Sequence, residues 1–280
     1  MGPDKALLYI VATPIGNLAD MVPRAVEVLQ SADLVAAEDT RHSQRLFSHF
    51  NIDTPLAAYH DHSDGQRTEW LLGQLESGKT IALISDAGTP LISDPGYRLV
   101  RLARERGIQV VPIPGACAFV AALSAAGLPS DRFTFEGFLP AKAQARETAL
   151  QKLAGEERTM VFYEAPHRVA DTLSAMAGVF GGEREAVIAR EISKAFETIH
   201  LAPLAELSVW VRDDPNQQRG EIVLLVRGAE PQKLSELDPE SCRVMQILLG
   251  ELPPKRAAAV AAEITGVNKK ALYNWSLELK

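Results

Sequence analysis

Three groups of charged side chains stand directly after short apolar runs, where α/β folds place the residues that do chemistry. Glu38-Asp39-Thr40-Arg41-His42 follows the run 34–37, Glu164-Ala165-Pro166-His167-Arg168 the run 159–163, and Arg190-Glu191-Ile192-Ser193-Lys194 closes the run from 186. Carboxylates, an ammonium and guanidinium groups brought together can move a proton or grip an anion. The same residue types also make helix caps and surface ion pairs. Two loops rich in small residues accompany them. Ala12-Thr13-Pro14-Ile15-Gly16-Asn17 ends the first apolar run, and Ser85-Asp86-Ala87-Gly88 is echoed by Ser93-Asp94-Pro95-Gly96 after the run 80–84. The second loop is longer than a βα connection needs. Gly88 and Ala87 are small enough to let backbone amides and carbonyls meet a ligand directly.

Several chemistries lack their signatures. There is no G-x-S-x-G, no C-x-x-C, no phosphate-binding P-loop and no G-x-G-x-x-G, so nicotinamide or flavin binding has little support. His60-Asp61-His62 would put two imidazoles on one face of a strand, but no third ligand stands at a matching spacing, and no metal is expected.

The elements needed to position these groups can be read in order. Apolar runs at 7–11, 34–37, 55–59, 80–84 and 109–112 read as strands, and helices are expected between them, among them 22–30. Thr40, Asp64 and Asp94 are expected helix caps, the last with Pro95 in the first helical position. An Ala-rich helix from Pro114 ends near Gly127. Strands follow at 132–137, 159–163, 186–190, 197–201 and 221–226, with helices near 142–153, 166–179 and 203–211. The fold class is α/β: a parallel doubly wound sheet, then a mixed sheet, with a small all-helical C-terminal domain. The expected domains are 1–127, 128–228 and 234–280, the last two joined by the linker Gly228-Ala229-Glu230-Pro231-Gln232-Lys233.

The chain has 280 residues, 46% hydrophobic, with a net charge of −7. No apolar run approaches a membrane span of about 18 residues, and the first residues lack a signal peptide's basic and apolar regions. Cys117 and Cys242, far apart in sequence, are expected to be free thiols in a reducing cytoplasm. An acidic chain is not coated in basic surface, though a local basic patch can still bind nucleic acid.

The motifs Y-I-V-A-T-P-I-G-N-L-A-D (9–20), A-A-E-D-T-R-H (36–42), L-I-S-D-A-G-T-P-L-I-S-D-P-G-Y (83–97), A-A-G-L-P-S-D-R-F (125–133), F-Y-E-A-P-H-R (162–168) and R-G-E-I-V-L (219–224) occur in this order. Together they resemble the small-subunit ribosomal RNA branch of the tetrapyrrole-methylase, or class III, S-adenosylmethionine methyltransferases. The resemblance implies a homodimer of two α/β domains with S-adenosylmethionine between them. It implies 2′-O-methylation of a cytidine ribose in the decoding region of 16S rRNA, with the small ribosomal subunit as partner. The donor-binding residues it implies are Pro14, Asp86, Ala87, Gly88, Thr89, Ile92, Cys117, Ala118, Tyr163 and Ala189. Gly88-Thr89-Pro90 stands where tetrapyrrole enzymes have Gly-Asp-Pro. Cys117 replaces the hydroxyl of a Pro-Gly-x-Thr-Ala segment, and Ala12 stands where relatives often have Pro or Gly. A ribose hydroxyl benefits from a general base. Asp39 is one candidate, and Lys194 another if burial lowers its pKa. Arg41 and Arg168 suit phosphate; Asp39, Arg41 and Lys194 form the expected catalytic set.

The tail reads as three helices, broken at Gly266 and capped by Asn268, in a helix-turn-helix-like pattern. Lys255, Arg256, Lys269 and Lys270 outnumber the acids of the segment 251–275, and Tyr273 and Trp275 can stack on bases or pack a small core. Two other readings fit parts of the pattern: a methyltransferase acting on a tetrapyrrole, and a non-enzymatic helix-turn-helix regulator that senses a metabolite.

Overall fold

The computed structural model describes residues 6–60, 65–230 and 237–279. The first part alternates β1 (Leu7–Val11), α1 (Pro23–Ser31), β2 (Leu34–Ala37), α2 (Thr40–Phe50), β3 (Leu56–Ala58), α3 (Gly65–Glu76), β4 (Thr80–Ile84), α4 (Tyr97–Glu105), β5 (Gln109–Ile113) and α5 (Ala118–Ala125). Its strands pair in parallel in the order β3-β2-β4-β1-β5. Parallel strands are buried on both faces, which is why they read as unbroken apolar runs. Successive side chains alternate between faces. Val11, Ala82 and Ile84 meet Ala25, Leu29 and Phe47 from α1 and α2. Leu8, Ile81 and Leu83 meet Leu71, Leu75 and Leu99 from α3 and α4.

The second part comprises β6 (Phe133–Phe138), α6 (Ala143–Lys152), β7 (Thr159–Glu164), α7 (Val169–Phe180), β8 (Glu185–Arg190), β9 (Thr198–Pro203), α8 (Leu204–Asp213) and β10 (Ile222–Val226). The sheet order is β6-β7-β10-β8-β9, with β6 and β7 parallel and every other pairing antiparallel. One face carries Phe162, Ile188 and Leu224 and is covered by α6, α7 and α8. The other carries Val161, Val187, Ala189 and Val223 and receives Ala122 and Leu123 of α5 and Ala126 just after it. A helix that follows the first sheet in sequence therefore packs on the second, and the chain through Ala229 forms one compact unit. From Glu230 a second unit contains α9 (Pro239–Glu251), α10 (Pro254–Thr265) and α11 (Lys269–Glu278) around Met245, Ala258, Ala261 and Leu272. No helix among the described residues is long and apolar enough to cross a membrane.

The α/β class, the parallel and mixed sheets and the helical tail hold as expected from sequence. Two helix starts differ. Asp39, not Thr40, caps α2: its Oδ1 accepts hydrogen bonds from the backbone N–H groups of Arg41 and His42. α4 begins at Tyr97, without a side-chain cap from Asp94. The loop before it is still turning, because Leu91 and Ser93 have φ of 73° and 61°, and the turn ends only at Gly96, with φ of 133°. A Cβ at Gly96 would lie 2.8 Å from Leu83 Cδ2. Asp64 lies outside the described residues, as do Asp61 and His62 of the histidine pair. Asn268 caps α11 as expected, and both cysteines are free thiols.

Candidate active site

The carboxyl ends of the parallel strands and the second sheet enclose a cavity of about 450 Å³. Its first-sheet wall comes from Ile15 after β1, Glu38 after β2 and the loop after β4; the second sheet supplies Phe138, Tyr163, Ile192 and the stretch from Gly220 to Val223. Of the expected donor-binding residues, Asp86, Ala87, Gly88, Thr89, Ile92, Cys117, Ala118 and Tyr163 are on this wall. Pro14 and Ala189 are not. Ile15 takes the place of its neighbour, and Ala189 is fully buried in the packing under α5.

Loops hold the cavity open by bonding to one another. Thr13 and Gly88 form an isolated antiparallel bridge. Thr13 N donates to Gly88 O at 2.8 Å and Gly88 N to Thr13 O at 2.9 Å. Thr89 Oγ1 donates to the carbonyl of Ala116 at 2.9 Å, which ties in the loop before α5. Gly88 thus lines the cavity with its amide and carbonyl already engaged in the bridge. Glycine is needed at this position for its φ of 79°.

The charged groups divide into a lining and a scaffold. Glu38, Asp86, Asp94, Glu164 and Glu221 line the cavity, and among the described residues no Lys, Arg or His does. Asp86 Oδ1 accepts from the amide of Asp39 at 2.9 Å, which fixes the start of α2 to the rim. The Asp39 carboxyl is held below its ordinary range, first by the Arg41 amide and then by that of His42. Glu164 is buried; it accepts from Thr172 Oγ1 at 2.6 Å and from the amide of Ala165 at 2.7 Å, and pairs with Arg168 Nε at 3.3 Å. Arg168 Nη2 donates to the Leu139 carbonyl at 2.6 Å. The guanidinium assigned to phosphate is instead a strut between β7 and the turn after β6. Arg190, also buried, serves Gln217, Thr198 and the Phe196 carbonyl.

Lys194 lies outside the lining but braces it. Its Nζ donates to Glu191 Oε1 and to Glu221 Oε2, each at 2.9 Å. Desolvation alone pushes its pKa down, but the two carboxylates outweigh this and the net direction is up. The condition under which Lys194 would serve as a base is therefore not met. Its stem crosses Gly16, where a Cβ would be 2.4 Å from Lys194 Cγ. Glu191 and Ser193 have φ of 51° and 64°, left-handed values that non-glycine residues adopt only where their surroundings hold them. Opposite, Tyr163 packs between Phe135 and Phe138, with ring centroids 5.0 and 5.6 Å away. Burial pushes its phenol above the ordinary range, and Cys117 and Asp94 add to that.

Sequence reasoning missed Ile15, Glu38, Asp94, Phe138, Ile192 and Glu221 as lining. Glu38 and Asp94 were visible inside the clusters but were passed over or given a capping role. Ile192 lay inside the third charged cluster without being singled out, and Phe138 carried no local signal. No group of three or more His, Cys, Asp or Glu that could hold a metal ion occurs among the described residues.

A family model described as Tetrapyrrole (Corrin/Porphyrin) Methylases matches residues 7–208, and one described as RsmI C-terminal HTH domain matches 235–280. The Ribosomal RNA small subunit methyltransferase I of Pseudomonas aeruginosa is 60% identical over 97% of this chain and 96% of its own length. The chain belongs to the ribosomal RNA small subunit methyltransferase I family. The family member from Escherichia coli O157:H7 is 56% identical over 97% of this chain and 94% of its own, and that of Synechocystis is 47% identical over 98% of each. Among solved structures, a cobalt precorrin-4 methyltransferase superposes with a TM-score of 0.59 at 16% identity over 81% of this chain and 97% of its own. Diphthine synthase gives 0.58 at 14% over 79% and 90%. These two establish that the family's α/β part shares their fold.

The Lys194 brace has a measurable acid signature. Desolvation pulls the Glu191 carboxyl up, but the hydrogen bonds from Lys194 and the Glu221 amide carry it below its ordinary value. A carboxyl whose pKa is lower folded than unfolded contributes stability that is present above the unfolded value, about 4.3, and lost as pH falls through the folded one. Lys194→Met should therefore flatten the fall in melting temperature below about pH 4.5 while changing it less at higher acidity, where Glu191 is protonated in both proteins. Thermal unfolding across pH 2.5–6 checks this; parallel acid limbs for the two proteins would rule it out.

Proposed function

We propose that this chain transfers a methyl group from S-adenosylmethionine to small-subunit ribosomal RNA, at the ribose 2′-hydroxyl of a cytidine in the decoding region of 16S rRNA. The cavity's charge carries this reading. A sulfonium and an α-ammonium are cations, and the wall carries Glu38, Asp86 and Asp94 besides Glu164 and Glu221, which Arg168 and Lys194 pair from behind it. Ile15, Ile92, Ile222 and Val223 supply apolar surface for an adenine. The same wall suits a tetrapyrrole poorly, because such substrates carry several carboxylates and would meet like charge.

When bound, the donor supplies an electrophilic methyl group for in-line displacement. The chain's part is alignment, which in well-oriented systems is worth roughly 7–11 kcal/mol of barrier. The Thr13–Gly88 bridge fixes two loops of the wall, and the Lys194 brace fixes Glu221 and the Ile192 turn. The substrate hydroxyl loses its proton to the carboxylates of the lining, with Asp86 already anchored by the Asp39 amide. Asp39 and Lys194 act as positioning residues in this scheme, and Arg41 meets substrate phosphate. A ribosomal substrate also implies a cytoplasmic protein.

The homodimer reading is supported by an uncovered sheet face. Ile199 and Leu201 on edge strand β9 stand opposite Ala189 and Val187, on the face that receives α5. They are 37% and 45% exposed, with Phe196 at 74% beside them. A second copy is the natural cover for such apolar surface. The tail is proposed to contact RNA through the exposed Lys255, Arg256, Lys269 and Lys270. Tyr273 and Trp275 pack against the tail's own core.

Three outcomes are expected. With labelled donor, the wild-type protein methylates 30S subunits, and Asp86→Asn lowers the single-turnover rate by about 10²–10⁴, whereas Asp39→Ala and Lys194→Ala lower it less and keep donor affinity; an unimpaired Asp86→Asn removes Asp86 as proton acceptor, and failure of any transfer by wild type overturns the function. Leu201→Glu combined with Phe196→Glu should halve the mass seen by sedimentation, and an unchanged mass would reject this face as the interface. Ending the chain after Lys233 should leave donor binding by calorimetry intact and weaken subunit binding; loss of both together would instead make the tail a stabiliser.

A further inference from the structure

Helix α2 (Thr40–Phe50) starts at the cavity rim, because the Asp39 amide that precedes it is held by Asp86 of the lining. Its inner side is apolar: Phe47 is buried and Leu46 packs with it against the first sheet. Its outer side bears Arg41, His42, Arg45 and His49, all exposed. The helix contains no acid, in a chain whose 36 acidic residues exceed its 29 lysines and arginines. Several arginines elsewhere are neutralised. Arg101, Arg106, Arg158, Arg227 and Arg243 each meet a carboxylate within 3.3 Å. Among the described residues, neither arginine of α2 joins an ion pair.

We propose that the outer face of α2 is a phosphate track that leads the substrate RNA strand into the cavity. The inference rests on the proposed function and adds a surface to it. The first step is electrostatic: an acid-lined pocket repels a polyanion, so the strand must be held by cations outside the rim while one nucleoside enters. α2 places cations at that point. The second step is geometric. Arg41 and Arg45 are one helical turn apart, about 6 Å along the axis, so two guanidiniums can take successive phosphates with bidentate hydrogen bonds. His42, Arg45 and His49, spaced by three and four residues, continue the same side away from the rim. Phosphate contacts of this kind set register and carry no sequence information. The track therefore presents the strand, and the choice of nucleoside lies elsewhere.

The test uses the full-length protein, a single-stranded RNA carrying the decoding-region sequence, and binding measured from about 50 to 200 mM salt. Arg41→Gln with Arg45→Gln should weaken binding and reduce the slope of log K against log salt by about 1.4, since each single-strand phosphate contact contributes about 0.7. Arg45→Glu alone should weaken binding in the same direction. Arg101→Gln, which breaks an already neutralised pair on α4, should change neither. Donor affinity by calorimetry and the melting temperature report that the variants are intact. An unchanged slope in the folded double variant overturns the track. So does a variant that binds the RNA as wild type does but loses affinity for the intact subunit, because α2 would then meet a protein. If wild type binds this RNA with the predicted slope change yet transfers no methyl group, the track stands and the assigned reaction fails.

Discussion

Two backbone hydrogen bonds between Thr13 and Gly88 are the constraint on which the site depends. They join the loop after β1 to the loop after β4, two neighbouring strands of the parallel sheet whose ends would otherwise splay. Once those loops are joined, Asp86 and Ala87 are carried onto the wall, and Thr89 reaches across to the loop that starts α5. α5 packs on the second sheet, so one local bridge is continuous with the contact that ties the first sheet's loops to the second sheet. Backbone bonds give such a wall little dependence on side-chain identity, which suits a surface that must stay in place while a ligand enters and leaves.

Charge is segregated within the unit that ends at Ala229. The acids Glu38, Asp86, Asp94, Glu164 and Glu221 line the cavity, while several cations are paired on the outside or, as with Arg168 and Arg190, drawn into structural bonds. A modest net charge therefore conceals a strong local division. A protein of this kind attracts a small cation to its interior and a polyanion to one limited face, and ionic strength affects the second far more than the first, since exposed charges are screened most.

Much of the fold was legible because parallel strands leave unbroken apolar runs and turns leave Gly, Pro and Asp. Eight residues of the wall were named from motifs, Asp86, Ala87, Gly88, Thr89, Ile92, Cys117, Ala118 and Tyr163, and others, such as Ile15 beside Pro14 and Glu38 beside Asp39, lay next to one that was. The roles that the structure recasts have a common cause. Asp39 and Lys194 are polar residues at strand ends, and sequence cannot tell a carboxylate aimed at a substrate from one accepting backbone amides, or an ammonium that is free from one held by two acids. Arg168 failed similarly, because its partner Glu164 lies four residues away on a turn whose course only the fold decides. Ala189 shares a sheet face with Tyr163 and Val223, which do line the cavity, but it lies on β8, one strand further across, and is fully buried under α5. Which part of that face α5 covers was the missing information.

The contact at Gly220 has a consequence for how this family can vary. A Cβ there would lie 2.3 Å from Glu191 Cδ, in the space filled by a carboxylate that also accepts the Glu221 amide at 3.0 Å. Gly220 itself has a φ of 79°. Positions 191 and 220 are thus one volume shared by two residues, and neither can drift alone. A side chain at 220 demands a shorter residue at 191, which in turn removes one of the two carboxylates that hold Lys194 over Gly16. Sequence change at this corner is confined to concerted steps, so the four positions should behave through evolution as a single inherited character.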